Sequence, residues 1–200
     1  MKQDEIRQKL IEGTIRVMAN EGLDKATTKQ IGTVTSVNET YIYRCFRSKE
    51  DMFAKTFDAL DTELFEKAMQ YADVMYRSDM EFVQRGRKYF FAVWQFLLGN
   101  RDKCLSYMRY FYSPYFTKYS VEDHKKRFAP LLAKFRDAFR DEADIWMILN
   151  HILNVMLDFA VKVHNGQMSE EDDYAEHVFR VIYTSVKQYF RSGGECDFPV

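Results

Sequence analysis

The chain has 200 residues and a formal net charge of −1. No global positive field therefore attracts nucleic acid, and any such function must come from a local basic patch. With 46% apolar residues but only eight Gly and three Pro, the composition excludes a loop-rich or all-β protein and predicts an all-α fold.

Neither the N-terminal residues nor the cysteine usage indicates export or membrane insertion. The charged N-terminus lacks the apolar segment of a signal peptide, and the apolar run 89–98 is shorter than the roughly 20 residues that cross a bilayer. Cys45, Cys104 and Cys196 form no CxxC pair, which favours reduced thiols over disulfides or zinc ligands. We expect a soluble, cytoplasmic protein without a membrane partner.

The N-terminal segment shows the first helices. Apolar residues at helical spacing predict a helix over about 4–20, and Gly22 supplies its stop. Thr27 stands three residues before Gln30, which is a capping-box pattern, so a second helix begins nearby.

A tight polar turn follows the second helix. Ser36 and Asn38 are good N-cap residues, and Ser36 with Glu39 repeats the capping-box pattern. They predict a short third helix over about 38–46, and Ser48 begins a fourth. Three helices in under 50 residues have the outline of a helix-turn-helix.

The charge around this turn departs from that of the whole chain. Residues 25–49 hold five basic residues and one acidic residue, a local charge of +4, interleaved with tyrosines, threonines and an asparagine that are suited to phosphate contacts. The alternative is the solvated surface of an ordinary helical bundle.

The remaining chain is longer and more apolar. Helical patterns, with a bend or restart expected at Pro130, are predicted over about 80–98, 101–112, 120–140, 144–164 and 169–191. The total is about nine helices.

Residues 31–50 read IGTVTSVNETYIYRCFRSKE. This segment resembles the N-terminal signature of the tetracycline-repressor-like (TetR) family of bacterial transcription regulators, roughly I-A-x-x-A-G-V-S-x-G-x-[LI]-Y-x-[HY]-F-x-S-K-E. The positions that match in register are Ile31, Val37, Ile42, Tyr43, Phe46, Ser48, Lys49 and Glu50.

Six positions depart from the signature. Thr40 is the most consequential, because it puts a β-branched side chain where the family often keeps none and could alter which bases are read. The others are Gly32, Thr35, Ser36, Asn38 and Cys45.

The resemblance implies a helix-turn-helix DNA-binding domain over residues 1–47 and a helical effector-binding and dimerisation domain over 48–200. A recognition helix enters the major groove by its N-terminal end, so the side chains nearest the bases are Asn38, Glu39, Thr40 and Tyr41. The resemblance implies phosphate contacts from Thr27, Tyr43 and Lys49, and Arg44 and Arg47 flank them. Glu39 has two readings, since it either closes the capping box with Ser36 or accepts a hydrogen bond from a cytosine.

The two C-terminal helices are the predicted homodimer surface, because a helix that is apolar on nearly all sides needs cover, and the resemblance implies the same. The predicted interface residues are Ile148, Ile152, Val155, Phe159, Val178, Ile182 and Val186.

The aromatic-rich middle of the chain is the predicted effector site. Several tyrosines between 107 and 119 need hydrogen-bond partners if buried, and the resemblance implies a cavity. A small apolar or aromatic effector is expected among Phe90, Trp94, Tyr107, Tyr110 and Phe111; the alternative for each ring is ordinary core.

The remaining polar residues favour no catalytic reading. His151, Asn154 and Asp158 share one helix face and suit either a pocket or a dimer seam, and His124 is expected in solvent. No metal-ligand, nucleophile or phosphate-loop motif is present, so we expect no enzyme, metal or cofactor.

The sequence therefore predicts a homodimeric repressor that binds a palindromic DNA operator and is released by a small effector. Two alternatives stay open: a helical dimeric interaction protein without DNA binding, and a DNA-binding regulator with no effector.

Overall fold

A computed structural model describes residues 3–191, apart from the side chain of Asp172, and Cys196 lies outside this range. The all-α prediction is confirmed, since β structure among the described residues is one antiparallel bridge between Phe139 and Phe190. Over this range the helices are α1 (Gln3–Glu21), α2 (Thr28–Thr35), α3 (Ile42–Cys45), α4 (Lys49–Ala72), α5 (Phe82–Leu98), α6 (Arg101–Phe111), α7 (Pro114–Tyr119), α8 (Val121–Phe135), α9 (Ile145–His164) and α10 (Asp172–Val186).

Two prolines act differently from expectation. Pro114, which lies between the helices predicted over 101–112 and 120–140, is the first residue of the additional helix α7, because the missing N–H of a proline costs nothing at a helix start and its φ already suits the helix. Pro130 lies inside α8, which continues past it and ends at Phe135 rather than near Arg140. The predicted restart at Pro130 is therefore wrong.

The described chain forms two compact units. The first unit comprises residues 3–64 and 100–127, and the second unit comprises residues 65–99 and 128–191. The predicted boundary between residues 47 and 48 stays a prediction.

In the first unit, α6 is fastened to α1. The Ser106 hydroxyl donates to the Ile15 carbonyl at 2.6 Å, and the Arg109 guanidinium donates to the Met18 carbonyl. Phe57 of α4 lies at the centre of the aromatic packing, with its ring stacked on Tyr110 at 4.7 Å. These contacts connect α6 to α1 and to α4, the helices on either side of the turn segment.

In the second unit, α5, α9 and α10 pack around aromatic side chains. Trp94 stacks on Phe90 with ring centroids 5.7 Å apart, and Phe90 also meets Phe179 of α10 at 5.5 Å. The His164 ring nitrogen Nε2 lies 3.0 Å from the Leu97 carbonyl oxygen, which ties the end of α9 to the end of α5.

Helix α9 is long and apolar enough, by length and composition, to cross a bilayer, although the sequence led us to expect no such segment. This is a weak indication, because the core helix of a soluble protein passes the same test. Only 28% of an 18-residue window of α9 is buried within the chain. Much of this apolar helix therefore needs other cover.

Candidate nucleic-acid interface and apolar cavity

The second helix begins with the predicted capping box. The Thr27 hydroxyl accepts from the Gln30 N–H at 3.1 Å, and the Gln30 side chain accepts from the Thr27 N–H at 3.2 Å. Two of the N–H groups left unpaired at a helix start are thereby satisfied. These two hydrogen bonds fix the position of Thr27, which is exposed at the protein surface.

The turn after α2 differs from the prediction at Ser36. This residue does not cap the third helix; it has a φ of 54°, in the left-handed region, and ends α2. Asn38 is the cap instead, because its Oδ1 accepts from the Thr40 N–H at 2.9 Å. The predicted third helix consists of a 3₁₀ turn over Glu39–Tyr41 followed by α3.

Small residues let α1, α2 and the turn approach closely. A Cβ on Gly13 would lie 2.0 Å from the Thr35 methyl group, and a Cβ on Gly32 would lie 2.9 Å from the Val37 carbonyl oxygen. Two of the departures from the TetR signature therefore have a structural reason. Gly32 is needed at the turn, and Thr35 has a matching space at Gly13.

Residues Asn38 to Tyr41 are all exposed, and the buried side chains of Val37 and Ile42 flank them. The Glu39 carboxylate accepts from the Thr28 hydroxyl, so the predicted capping box with Ser36 does not form. The carboxylate is instead positioned by α2, on the exposed face of the turn.

Most of the predicted phosphate-binding residues come directly after Tyr41 in the sequence. Tyr43 is 60% exposed, and the Arg44 guanidinium lies 5.0 Å from the centroid of the Tyr41 ring. The Lys49 ammonium lies 5.4 Å from the Phe53 centroid. Of the nine predicted DNA-binding residues, eight are exposed and Lys49 is half-buried.

Arg47 lies where α4 begins. Its N–H donates to the Asp51 carboxylate at 2.9 Å, and the Asp51 N–H donates to the Ser48 hydroxyl at 3.2 Å. The second bond makes Ser48 the N-cap residue of α4, which confirms it as the start of the fourth helix. These two hydrogen bonds fix the backbone between α3 and α4. The basic side chains of this segment therefore extend into solvent from defined backbone positions.

The second unit contains an apolar cavity of about 100 Å³. Its wall is formed by α5, α9, α10, the end of α8 with the segment after it, and Met75 from the segment before α5, and polar atoms contribute almost nothing to it. Aromatic rings dominate the lining, among them Phe82, Tyr89, Phe90, Phe135, Phe179 and Phe190. Such a space suits a small apolar group.

The five residues predicted to bind an effector fall in both units. Phe90 lines the cavity, and Trp94 is buried behind it. Tyr107, Tyr110 and Phe111 belong to the first unit and are not part of this wall. Sequence reasoning also passed over Gly86, Ile152 and Ile182 as lining residues.

Two buried tyrosines of the first unit find hydrogen-bond partners within the protein. The Tyr107 hydroxyl donates to the Asp61 carboxylate at 2.9 Å, and the Tyr110 hydroxyl lies 3.0 Å from the Ser120 hydroxyl. Tyr112 and Tyr119 are exposed. For the buried tyrosines Tyr107 and Tyr110, protein groups therefore meet the hydrogen-bonding requirement that the sequence had suggested a pocket would meet.

Residues 10–56 match the model of the bacterial regulatory proteins, tetR family. The match begins within α1, includes α2, the turn and α3, and ends within α4. Residues 10–56 are a tetR-family domain. No curated protein sequence matches the chain.

Solved structures show the tetR fold over nearly the whole chain. A TetR family transcription regulator from Marinobacter aquaeolei VT8 has a TM-score of 0.73 at 15% identity, covering 91% of this chain and 95% of its own. FadR from Bacillus subtilis, in complex with stearoyl-CoA, has a TM-score of 0.68 at 14% identity, covering 88% and 96%. The fatty acid degradation regulator FadR from Bacillus halodurans also scores 0.68 at 14% identity, covering 88% and 93%.

Within this tetR fold the first unit holds a buried polar cluster that the sequence did not predict. Asp61 is fully buried and accepts from Tyr107 and from the Arg127 guanidinium, and its Oδ1 lies 2.8 Å from the His124 ring. Arg127 also donates to Asp58. The cluster joins α4, α6 and α8.

The expectation that His124 is solvated is wrong, since it is only 2% exposed. Its charged neighbours in the sequence hid the helical pattern, in which His124, Phe128, Leu131 and Phe135 recur at spacings of four and three on the buried face of α8. That spacing was the available signal.

The predicted dimer residues are also divided by burial. Four of them, Ile148, Val178, Ile182 and Val186, are buried within the chain itself and leave little surface for a partner. Ile152, Val155 and Phe159 are half-buried. The exposed apolar side chains of α9 and α10 are Met147 and Val181, at 51% and 54%.

The polar residues of α9 lie outside the cavity wall. His151 is exposed, and its Nε2 lies 2.9 Å from the Ser185 hydroxyl of α10. Asp158 pairs with Lys162 one turn on. Asn154 keeps a buried side-chain oxygen without a hydrogen-bond partner, and such an atom is costly unless another group supplies a donor.

Proposed function

We propose that the protein is a cytoplasmic, homodimeric transcription repressor that binds a palindromic DNA operator and is released by a small apolar effector. The observation that carries the DNA-binding part is the exposed, basic and aromatic surface over residues 38–49, which lies within the matched tetR-family domain. Asn38 to Tyr41 would read base edges, and Thr27, Tyr43, Arg44, Arg47 and Lys49 would contact phosphates.

Selection of bound fragments from random DNA by the purified protein tests this part. We expect recovery of a palindrome with half-sites about one helical turn apart, or a multiple of it. Tyr43→Ala should weaken binding about tenfold by removing a hydrogen bond to a charged phosphate. Tyr76→Ala, which changes a tyrosine of similar exposure in the second unit, should leave binding unchanged. Absence of any salt-sensitive binding would overturn the proposal.

The apolar cavity of the second unit supports the effector part. It is smaller than the roughly 300–1,000 Å³ of drug-sized pockets, so it would hold one group of an effector rather than a large molecule. FadR from Bacillus subtilis, a structural relative, binds stearoyl-CoA. By linkage, an effector that favours a state with mismatched recognition helices weakens DNA binding, and DNA weakens effector binding by the same factor.

The apolar surface of α9 and α10 supports the homodimer, because only 28% of an 18-residue window of α9 is buried within the chain and a helix that is apolar on nearly all sides needs cover. We propose Met147, Val155 and Val181 at its centre. Val181→Glu places a charge there and should give monomers in light scattering after gel filtration, whereas Thr184→Glu one turn away tests charge at an exposed polar site. A Val181→Glu variant that elutes as wild type would remove this surface from the proposal.

A further inference from the structure

Neither the backbone conformation nor a neighbouring atom explains why residue 86 of the cavity wall is a glycine. Gly86 lies inside α5, where glycine destabilises a helix relative to alanine. Its φ is not positive, so the backbone does not require glycine. A Cβ added at this position would meet no atom within 4 Å, so no neighbour requires it either.

The contrast with two other helical glycines is direct. Gly13 faces the Thr35 methyl group, and Gly32 faces the Val37 carbonyl oxygen, both too close for a Cβ. Beside Gly86 there is open space instead, and Gly86 lines the apolar cavity. The missing side chain thus enlarges the cavity against the backbone of α5.

We propose that Gly86 is a specificity-determining residue, and that the space beside it binds an uncharged hydrocarbon group of the effector. The inference rests on the proposed function, because it concerns the same cavity. A polar atom placed in this wall would lose its water without gaining a partner. The volume of about 100 Å³ is below the 150 Å³ or so of an apolar cavity that holds benzene, so the bound group is smaller than an aromatic ring, such as a short branched chain at one end of the effector.

Two probes of nearly equal shape test this chemistry. α-Methylstyrene is a hydrocarbon, and acetophenone replaces its terminal methylene by a carbonyl oxygen. Both are titrated into full-length protein carrying ¹³C-labelled methionine methyl groups. Met75 and Met156 line the cavity, whereas Met18 and Met52 are buried in the first unit and serve as internal references.

We expect α-methylstyrene to shift the Met75 and Met156 signals and to bind at least about tenfold more tightly than acetophenone, because the carbonyl oxygen is desolvated without a partner. Equal affinities, preference for acetophenone, or shifts confined to Met18 and Met52 would overturn the inference. Binding of neither probe would overturn it as well.

Variants at Gly86 separate the site from the fold. Gly86→Ala should raise Tm by about 2–4 °C and weaken α-methylstyrene binding about threefold, and Gly86→Leu should weaken it more than about tenfold by filling the space. Lys88→Leu, an exposed position on the same helix, should leave the affinity unchanged. Wild-type affinity in Gly86→Leu would contradict the role of Gly86.

The titration contains no DNA. Its failure alongside a recovered palindrome would remove the hydrocarbon site and leave the DNA-binding regulator standing. Hydrocarbon binding by a protein that binds no DNA would keep the hydrocarbon site and remove the DNA-binding regulator.

Discussion

The interiors of the two units are closed in different ways. In the first unit, a buried carboxylate, Asp61, holds side chains from α6 and α8 by hydrogen bonds and an ion pair. In the second unit, aromatic rings surround a space that no side chain fills. Directional polar contacts fix one geometry, which suits a surface that must match DNA. An unfilled apolar space suits a ligand.

The small residues repeat this contrast. Gly13 is a tight contact in the first unit, whereas Gly86 is an opening in the second. Glycine therefore has opposite structural roles at the two positions. Replacing it by alanine should lower the free energy of unfolding at Gly13 and raise it at Gly86, which makes the contrast measurable.

The largest effect is expected at the buried carboxylate. Asp61→Ala leaves Arg127 and its polar neighbours without their shared partner, so we expect the free energy of unfolding to fall by about 3–5 kcal/mol in urea denaturation. Asp158→Ala removes the half-exposed partner of Lys162 on α9 and should change the free energy of unfolding by about 0.5 kcal/mol or less. Similar losses at both positions would show that the buried cluster gives the first unit no special rigidity.

The next effect is expected at the contact between α1 and α2. Gly13→Ala forces a methyl group against Thr35 and should destabilise the fold by about 1–3 kcal/mol. Thr35→Ala in the same chain should restore part of this loss, which a double-mutant cycle measures. Gly86→Ala should instead stabilise the protein by about 1 kcal/mol. Equal signs for Gly13→Ala and Gly86→Ala would remove the contrast between the units.

A smaller effect is expected in DNA binding. Lys49→Ala should weaken binding to all sequences alike and reduce the log–log salt slope by about one, because one phosphate contact is lost. Lys88→Ala, an exposed lysine of the second unit, should leave the slope unchanged. An unchanged slope in Lys49→Ala would mean that Lys49 does not contact phosphate.

The smallest perturbation is chemical labelling of thiols in a Cys196→Ser variant. Burial raises the pKa of Cys104 to about 12 and also raises that of Cys45, although Arg7 opposes the latter. Because the thiolate is the reactive form, labelling should accelerate with pH at half-buried Cys45 while Cys104 stays unlabelled at pH 8. Labelling of Cys104 as fast as Cys45 would show that the first unit opens readily.

Local patterns in the sequence predicted much of the fold. The capping box at Thr27, the N-cap at Ser48 and the stop at Gly22 depend on residues within a few positions of one another, and helical periodicity predicted α1, α5, α6 and α9 to within a few residues. Ser36 was misassigned because serine is a preferred N-cap residue, whereas the left-handed φ by which it ends α2 is usually adopted by Gly or Asn.

The sequence by itself determined the helical class, the helix-turn-helix and its exposed basic surface, because caps, periodicity and charge act over a few neighbouring residues. Only the tertiary structure decided that His124 is buried beside Asp61, that Phe90 and Trp94 lie in a different unit from Tyr107, and that Gly86 faces open space. Those facts depend on residues far apart in the chain, and a helical pattern shows which side of a helix is buried but not what that side meets.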